Sequence, residues 1–216
     1  WIRRSSDMTE QHFTELCQYE RQLAGEGVRL IAGIDEAGRG PLAGPVAAAC
    51  VILPARGPFV RGADDSKKLS EKRREALYEE IRASCISYGV SMVGNDRIDE
   101  INILQATYEA MREALRIAIA AAGECPERIL VDHVRIPEVE LPQVSITHGD
   151  AKSITIACAS ILAKVERDRL MRQYDAEYPE YGFAKHKGYG TAQHYEAINR
   201  YGPCALHRRT FLKGRD

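Results

Sequence analysis

Apolar positions along this chain follow two rhythms, and each change of rhythm marks an element. Phe13, Leu16 and Leu23 recur at helical intervals, which predicts a helix over 7–24 that stops near Gly25 and Gly27. Apolar runs then predict strands over 30–35, 46–53 and 86–93. Between the last two, Pro54 and Gly57-Pro58 mark a loop. Ser70 follows as the N-cap of a helix on which Leu77 and Ile81 lie four apart. From Ile98 to Ala122 the spacing of Ile101, Leu104, Tyr108, Met111, Leu115 and Ile119 predicts one long helix, closed by Gly123. Ile129-Leu130-Val131 is a short strand ending on Asp132, and the run over 144–147 ends near His148-Gly149-Asp150. A helix from Ser153 to about Tyr174 carries Ile154, Ala157, Ile161 and Val165 on one side. Lys185 to Tyr189 reads as a basic loop, and Thr191 caps a last helix with Tyr195 and Ile198 that Gly202-Pro203 terminates. This order predicts a mixed sheet flanked by helices, α/β or α+β, with ligands outside the strand ends.

Composition changes this picture little. With 216 residues, 44% hydrophobic and 28% charged, the chain suits a soluble globular protein built on one core. Its six cysteines are scattered with no C-x-x-C spacing, so neither a disulfide framework nor a zinc site is expected, and a reducing cytosol fits. No apolar stretch reaches the roughly 20 residues of a membrane helix, so a cytoplasmic protein with no membrane partner is expected. The formal net charge of −1 argues against coating nucleic acid by bulk charge. Yet Lys185, Lys187, Arg200, Arg208, Arg209, Lys213 and Arg215, against Glu196 and Asp216, make the C-terminal stretch basic.

Candidate chemistry sits where strands end. Asp35 and Glu36 close an apolar run and run into Gly38-Arg39-Gly40. A lone Asp-Glu pair is ordinarily a solvated turn. Here, two glycines let a ligand approach main-chain N–H groups beside an arginine, which suits a phosphate. Asp132 and Asp150 also fall at or just beyond predicted strand ends. Four clustered carboxylates repel one another unless cations neutralise them, and an oxygen-only donor set points to Mg2+ or Mn2+ rather than zinc. Such ions support metal-assisted phosphodiester hydrolysis. On the helix after Ser153, Asp168 falls along the packed stripe, where a salt bridge or hydrogen bond to another element is expected. Glu166 falls on a solvent face.

The segment Gly33-Ile34-Asp35-Glu36-Ala37-Gly38-Arg39-Gly40-Pro41-Leu42-Ala43-Gly44-Pro45-Val46 resembles the signature of bacterial ribonuclease HII, the type 2 ribonuclease H. Later segments resemble that family in the same order: Asp65-Ser66-Lys67-Lys68-Leu69, Asn102-Ile103-Leu104-Gln105-Ala106-Thr107, Val131-Asp132, Gly149-Asp150, the stretch from Ala159 to Asp168, and His186-Lys187-Gly188-Tyr189-Gly190-Thr191. The likeness implies a ribonuclease H-like fold with a small C-terminal helical portion. It divides the chain into an N-terminal helical arm, 1–27, and a catalytic domain, 28–216.

The resemblance also implies an endonuclease acting on the RNA strand of RNA·DNA hybrids and 5′ of single ribonucleotides in duplex DNA, working as a monomer in ribonucleotide excision and primer removal. It makes Asp35, Glu36 and Asp132 metal ligands for Mn2+ or Mg2+ and Asp150 the remaining catalytic acid. Gly38, Arg39 and Gly40 form a loop that approaches the ribose 2′-OH and a phosphate. Lys67, Lys68 and Lys187 look like phosphate contacts, and Tyr189, between two glycines in a basic loop, is free to stack on a sugar or base. His133 departs from the family, which usually has Gly after the strand-end Asp. His207-Arg208-Arg209-Thr210-Phe211 reads as a basic surface turn with Phe211 packed inward, a secondary substrate contact at best. No clamp-binding tail is seen after Phe211. A related nuclease of the same superfold would share the acids without needing Gly-Arg-Gly together with Tyr189. A non-catalytic nucleic-acid-binding module would gain nothing from the four carboxylates.

Overall fold

Strands β1 (Leu30–Ala37), β2 (Val46–Pro54), β3 (Ser87–Val93), β4 (Arg128–Asp132) and β5 (Gln143–Ile146) form one sheet in the order β3-β2-β1-β4-β5. The structure is a computed structural model and describes residues 8–213; Asp7, Arg215 and Asp216, which entered the sequence reading, lie outside them. β1 pairs antiparallel with β2 and parallel with β4, so the sheet is mixed, as expected. Antiparallel β2–β3 and parallel β4–β5 complete it. β2 is buried along nearly its whole length, which is why its sequence is a continuous apolar run with no alternation.

Helix α4 (Asn95–Ala122) covers one face, packing Ala106, Ala110, Met111 and Ala114 on Ala32, Ile34, Ala48 and Cys50. The other face takes α5 (Ile154–Glu177) and α3 (Glu71–Ser84), with Leu77, Ile81, Ala157 and Ile161 against Ala49, Val51 and Leu53. The first turn of α5 lies directly on β1. A Cβ at Gly33 would stand 2.4 Å from the Thr155 carbonyl, so only glycine admits this approach. Ser70 and Thr191 each accept from an N–H in the first turn of their helices, the caps the sequence predicts, and Ser153, read as the first residue of its helix, proves to be its cap.

Two predicted helices are broken. The stretch over 7–24 divides into α1 (Glu10–Leu16) and α2 (Gln18–Gly25), since Cys17 leaves helical geometry (φ −93°, ψ 10°). In α4, Asn102 is non-helical (φ 68°, ψ 164°), and its Oδ1 accepts from the N–H groups of Leu104 (3.0 Å) and Gln105 (3.1 Å). Asn102 thus caps the second segment. The apolar three-to-four spacing continues across the kink, which hid it from periodicity. Short helices α6 (Phe183–His186), α7 (Ala192–Tyr201) and α8 (Arg209–Leu212) form the C-terminal portion, with a small core of Ala43, Met171, Tyr181, Phe183 and Ala197. Among the described residues, no helix is long and apolar enough to cross a membrane.

The N-terminal helices are fastened to α5 by a buried acid. Glu20 Oε1 accepts from the Ser153 hydroxyl (2.5 Å) and from the Thr155 N–H (3.0 Å) and hydroxyl (2.9 Å), while its Oε2 has no partner among the described residues. Burial pushes the carboxyl pKa up, against these hydrogen bonds. The folded pKa exceeds the unfolded one, so this contribution to stability is present at low pH and is lost as pH rises through the folded value. Glu20→Ala should cost roughly 2–3 kcal/mol, whereas Glu20→Gln should gain on wild type in thermal melts between about pH 4 and pH 7. A wild-type-minus-Gln difference that stays flat with pH would count against this account.

Candidate active site

The acidic site arises from a mismatch in strand length. β1 and β4 pair from Ile31↔Arg128 to Ile34↔Val131, and β4 stops at Asp132. β1 continues to Ala37, still paired with β2 through Ala37↔Ala47. Asp35 and Glu36 therefore do not terminate their strand, contrary to the sequence expectation. Their edge of β1 is left without a paired strand because β4 ends first, which leaves a notch in the sheet with Asp35 buried at its floor and Glu36 half-buried.

Strand alternation then distributes the acids. Asp35 shares a face with Ile31, and Asp132 with Leu130; both of those apolar residues pack with Ile156 of α5. Glu36 falls on the α4 face with Ile34. Asp150 lies in a 3₁₀ turn (Gly149–Ala151) after β5, and the N–H of Gly149 donates to Asp132 Oδ1 at 2.6 Å. The structure thus brings the four predicted acids around one notch. As the side chains are placed, no three His, Cys, Asp or Glu among the described residues are close enough together to hold a metal ion.

The electrostatics of the site are strongly perturbed. Burial, then repulsion from Glu36 and Asp132, holds the Asp35 carboxyl well above the usual carboxylate range, against hydrogen bonds from Ser160 and the Glu36 N–H (2.8 Å). Glu36 is raised by burial and by Asp132, although Arg39 Nη1 lies 3.3 Å from its Oε1 and opposes this. Asp150 is raised by burial and then by Asp65 and Asp132, with Lys67 opposing at 3.8 Å from Asp150 Oδ2. Buried anionic oxygens with so little compensation fit a hard divalent cation.

Beside the notch, the Gly-Arg-Gly loop is held from below by two buried arginines. Arg167 donates to the carbonyls of Pro45 (2.8 Å), Lys187 (2.9 Å) and Ala43 (3.1 Å). Arg208 donates to those of Gly44 (2.9 Å), Arg39 (2.9 Å) and Gly38 (2.6 Å). Both side chains are fully buried, so the reading of residues 207–211 as a basic surface turn is wrong for Arg208. Gly38 adopts φ +89°, and a Cβ there would stand 2.0 Å from Arg167 Nε. With the Gly38 and Arg39 carbonyls drawn inward, Arg39 and Gly40 are exposed, and among the described residues their N–H groups have no acceptor. Tyr189 is 42% exposed, and its ring lies 3.8 Å from where a Cβ of Gly40 would stand. The glycine loop and the tyrosine, 149 residues apart in sequence by their numbering, are therefore neighbours.

The predicted lysines divide. Lys67 stands at the acids, and Lys68 is exposed with its ammonium 3.8 Å from Asp64. Lys187 turns away: its ammonium donates to the Ala184 carbonyl and lies 4.0 Å from Glu71, with the side chain only 12% exposed. The predicted loop over 185–189 in fact begins inside α6. Asp168 is buried between Lys164 (2.8 Å) and Arg74 of α3 (3.8 Å), the inter-element salt bridge expected of it. Glu166 is not free in solvent, since the Tyr78 hydroxyl donates to it.

Sequence reasoning missed Ser160, which bonds Asp35 and lies 2.9 Å from the Ser66 hydroxyl, and it missed Asp65 beside Asp150. Both belong to the quoted family-like segments, which was the available signal. Arg167 lies in the same family-like stretch as Ser160, on an otherwise buried helix.

His133 gains a physical explanation. It adopts φ 58°, a left-handed conformation, while its N–H bonds the Ile146 carbonyl (3.0 Å). Glycine occupies this region without a Cβ penalty, which accounts for its use at this turn. His133→Gly should stabilise the fold by about 0.5–1 kcal/mol and raise Tm by roughly 1–3 °C. A lower Tm in a thermal melt would overturn this.

A family model for ribonuclease HII matches residues 32–213. The ribonuclease HII of Caldanaerobacter subterraneus subsp. tengcongensis is 53% identical over 213 residues, covering 99% of this chain and 85% of that one. Among solved structures, the ribonuclease H2 of Pyrococcus horikoshii OT3 superposes with a TM-score of 0.68 at 28% identity, covering 86% of this chain and 95% of that one. The Archaeoglobus fulgidus ribonuclease HII, solved in complex with PCNA, gives 0.66 at 29% identity, with 85% and 94% covered. The match takes in the notched sheet, the arginine-held glycine loop and the C-terminal helices alike, and the chain belongs to the ribonuclease HII family.

Proposed function

We propose that the protein is an endonuclease that hydrolyses the RNA strand of RNA·DNA hybrids and cuts 5′ of single ribonucleotides in duplex DNA, leaving 3′-hydroxyl and 5′-phosphate ends. Its cellular roles on this reading are ribonucleotide excision and RNA primer removal, carried out as a monomer. The carrying observation is the juxtaposition, at one sheet notch, of four carboxylates with an exposed loop of free N–H groups and an exposed tyrosine.

Asp35, Glu36 and Asp132 are the residues to hold Mn2+ or Mg2+, with Asp150 beside them. Bound there, a divalent cation supplies Lewis acidity toward the phosphodiester and offsets the repulsion among the carboxylates. Asp150, beside these acids, is the group placed to pass a proton to the leaving 3′-oxygen. The N–H groups of Arg39 and Gly40 bind the phosphate and the 2′-OH, Lys67 meets a neighbouring phosphate, and Tyr189 stacks on the sugar at the cleavage point.

Cleavage of duplex DNA carrying one ribonucleotide, with and without divalent ion, tests the reading. Product should appear only with the ion and only at the ribonucleotide. Tyr189→Ala should lower that cleavage on the order of tenfold or more while leaving affinity for plain duplex DNA nearly unchanged. Equal losses in both would assign Tyr189 to packing.

A further inference from the structure

Beneath Tyr189 lies a cluster of buried rings that the proposed chemistry does not use. His194 is 0% and His207 2% exposed, with their Nε2 atoms 3.1 Å apart. His186 stacks on His194 (4.4 Å, 17°), Phe183 sets its edge against His194 (5.5 Å, 88°), and Tyr181 tilts onto His207 (5.1 Å, 59°).

The hydrogen bonds at the two ends of the pair leave one assignment of protons. The N–H of Cys204 donates to His207 Nδ1 (2.9 Å), so that nitrogen is unprotonated and the ring carries its proton on Nε2. At the other end, His194 Nδ1 faces the Tyr189 carbonyl (2.9 Å), which only accepts, so His194 is protonated on Nδ1. Its bare Nε2 then receives the Nε2–H of His207. The chain runs one way: Cys204 N–H to His207, His207 to His194, His194 to the Tyr189 carbonyl. His186 is fixed separately, accepting from the Gly188 N–H (3.2 Å) and donating to the Tyr181 carbonyl (2.7 Å).

We propose that His194 and His207 are positioning residues for Tyr189, a relay of two neutral imidazoles in opposite tautomers that ties the tyrosine's backbone to the turn carrying Arg208. The proposal rests on the reading of Tyr189 as the residue that meets the ribonucleotide sugar. A second proton on either ring would set N–H against N–H and break the chain. Burial supports neutrality, as it lowers both imidazoles and, with repulsion from His194, brings His207 down to about 4. The far end matters because Arg208, next to His207, donates to the carbonyls of Gly38, Arg39 and Gly44. One turn thereby holds both the glycine loop and, through the two rings, the tyrosine loop.

Nitrogen-15 NMR of the histidines in the intact protein tests the relay without reference to activity. The expected signature is an Nδ1–H tautomer for His194 and an Nε2–H tautomer for His207; any other pairing, or a cationic ring at neutral pH, overturns the proposal. Kinetics on duplex DNA with one embedded ribonucleotide provides the second readout. His194→Asn places an amide donor near the position of Nδ1, whereas His194→Ala removes the donor. The Ala variant should raise KM about tenfold with a smaller change in kcat, and Asn should restore most of the loss. Equal impairment of the two variants overturns the positioning role. If wild type showed the expected tautomers but did not cut at the ribonucleotide, the proposed function would fail while the relay stood.

Discussion

Asp35→Asn is expected to abolish cleavage, by three orders of magnitude or more on the scale of lost metal-assisted catalysis, while leaving the fold at least as stable as wild type. The second half of that expectation follows from the site's electrostatics. Burial and the repulsion of Glu36 and Asp132 raise the folded pKa of Asp35, so the folded state binds this proton more tightly than the unfolded chain does. Stability from the group is present at low pH and is lost as pH climbs from the ordinary carboxylate range through the raised folded value. Asn cannot ionise and escapes that loss, while its Oδ1 can still accept from the Glu36 N–H. In metal-free neutral buffer the variant should therefore melt at or above wild type, and the difference should shrink in acid. Added Mn2+ should raise the wild-type Tm and leave the variant's nearly unmoved. Wild-type turnover by the variant, or a clearly lower Tm in chelator, would remove Asp35 from the site.

Arg208→Met should destabilise the protein by on the order of 3–5 kcal/mol and remove activity with it. Three carbonyls, of Gly38, Arg39 and Gly44, would lose their donors in the interior, and each buried unsatisfied group costs about 1–3 kcal/mol. Burial and the neighbouring Arg167 lower the guanidinium pKa to about 9, so the group is still a cation at neutral pH. Arg208→Lys should recover little, because one ammonium cannot present the planar fork that reaches three acceptors. Arg209→Ala is the contrast. Its side chain is exposed, and the change should stay within about 0.5 kcal/mol. Urea midpoints of the variants decide the matter, and an Arg208→Met variant as stable as wild type would show that the loop stands without this support.

Local features of the chain were legible in the sequence because local forces make them. Ser70 and Thr191 cap the helices they were expected to cap, since a cap is a bond across three residues. The strands leading to Asp35 and Asp132 were likewise visible as apolar runs, and the order of motifs pointed to the family and its acids. What stayed hidden depends on partners far along the chain. That Asp35 and Glu36 lie at a notch left by the early end of β4, rather than at the end of their own strand, follows from pairing between residues about a hundred positions apart. An arginine in a basic run reads as surface until carbonyls 164 to 170 residues away are seen to receive it. The turning away of Lys187 and the tautomers of His194 and His207 are of the same kind. Hydropathy prices a charged or polar side chain by its cost of leaving water. Only the tertiary structure supplies the acceptors that offset that cost, and so only it decides which polar residues face the substrate and which hold the site from within.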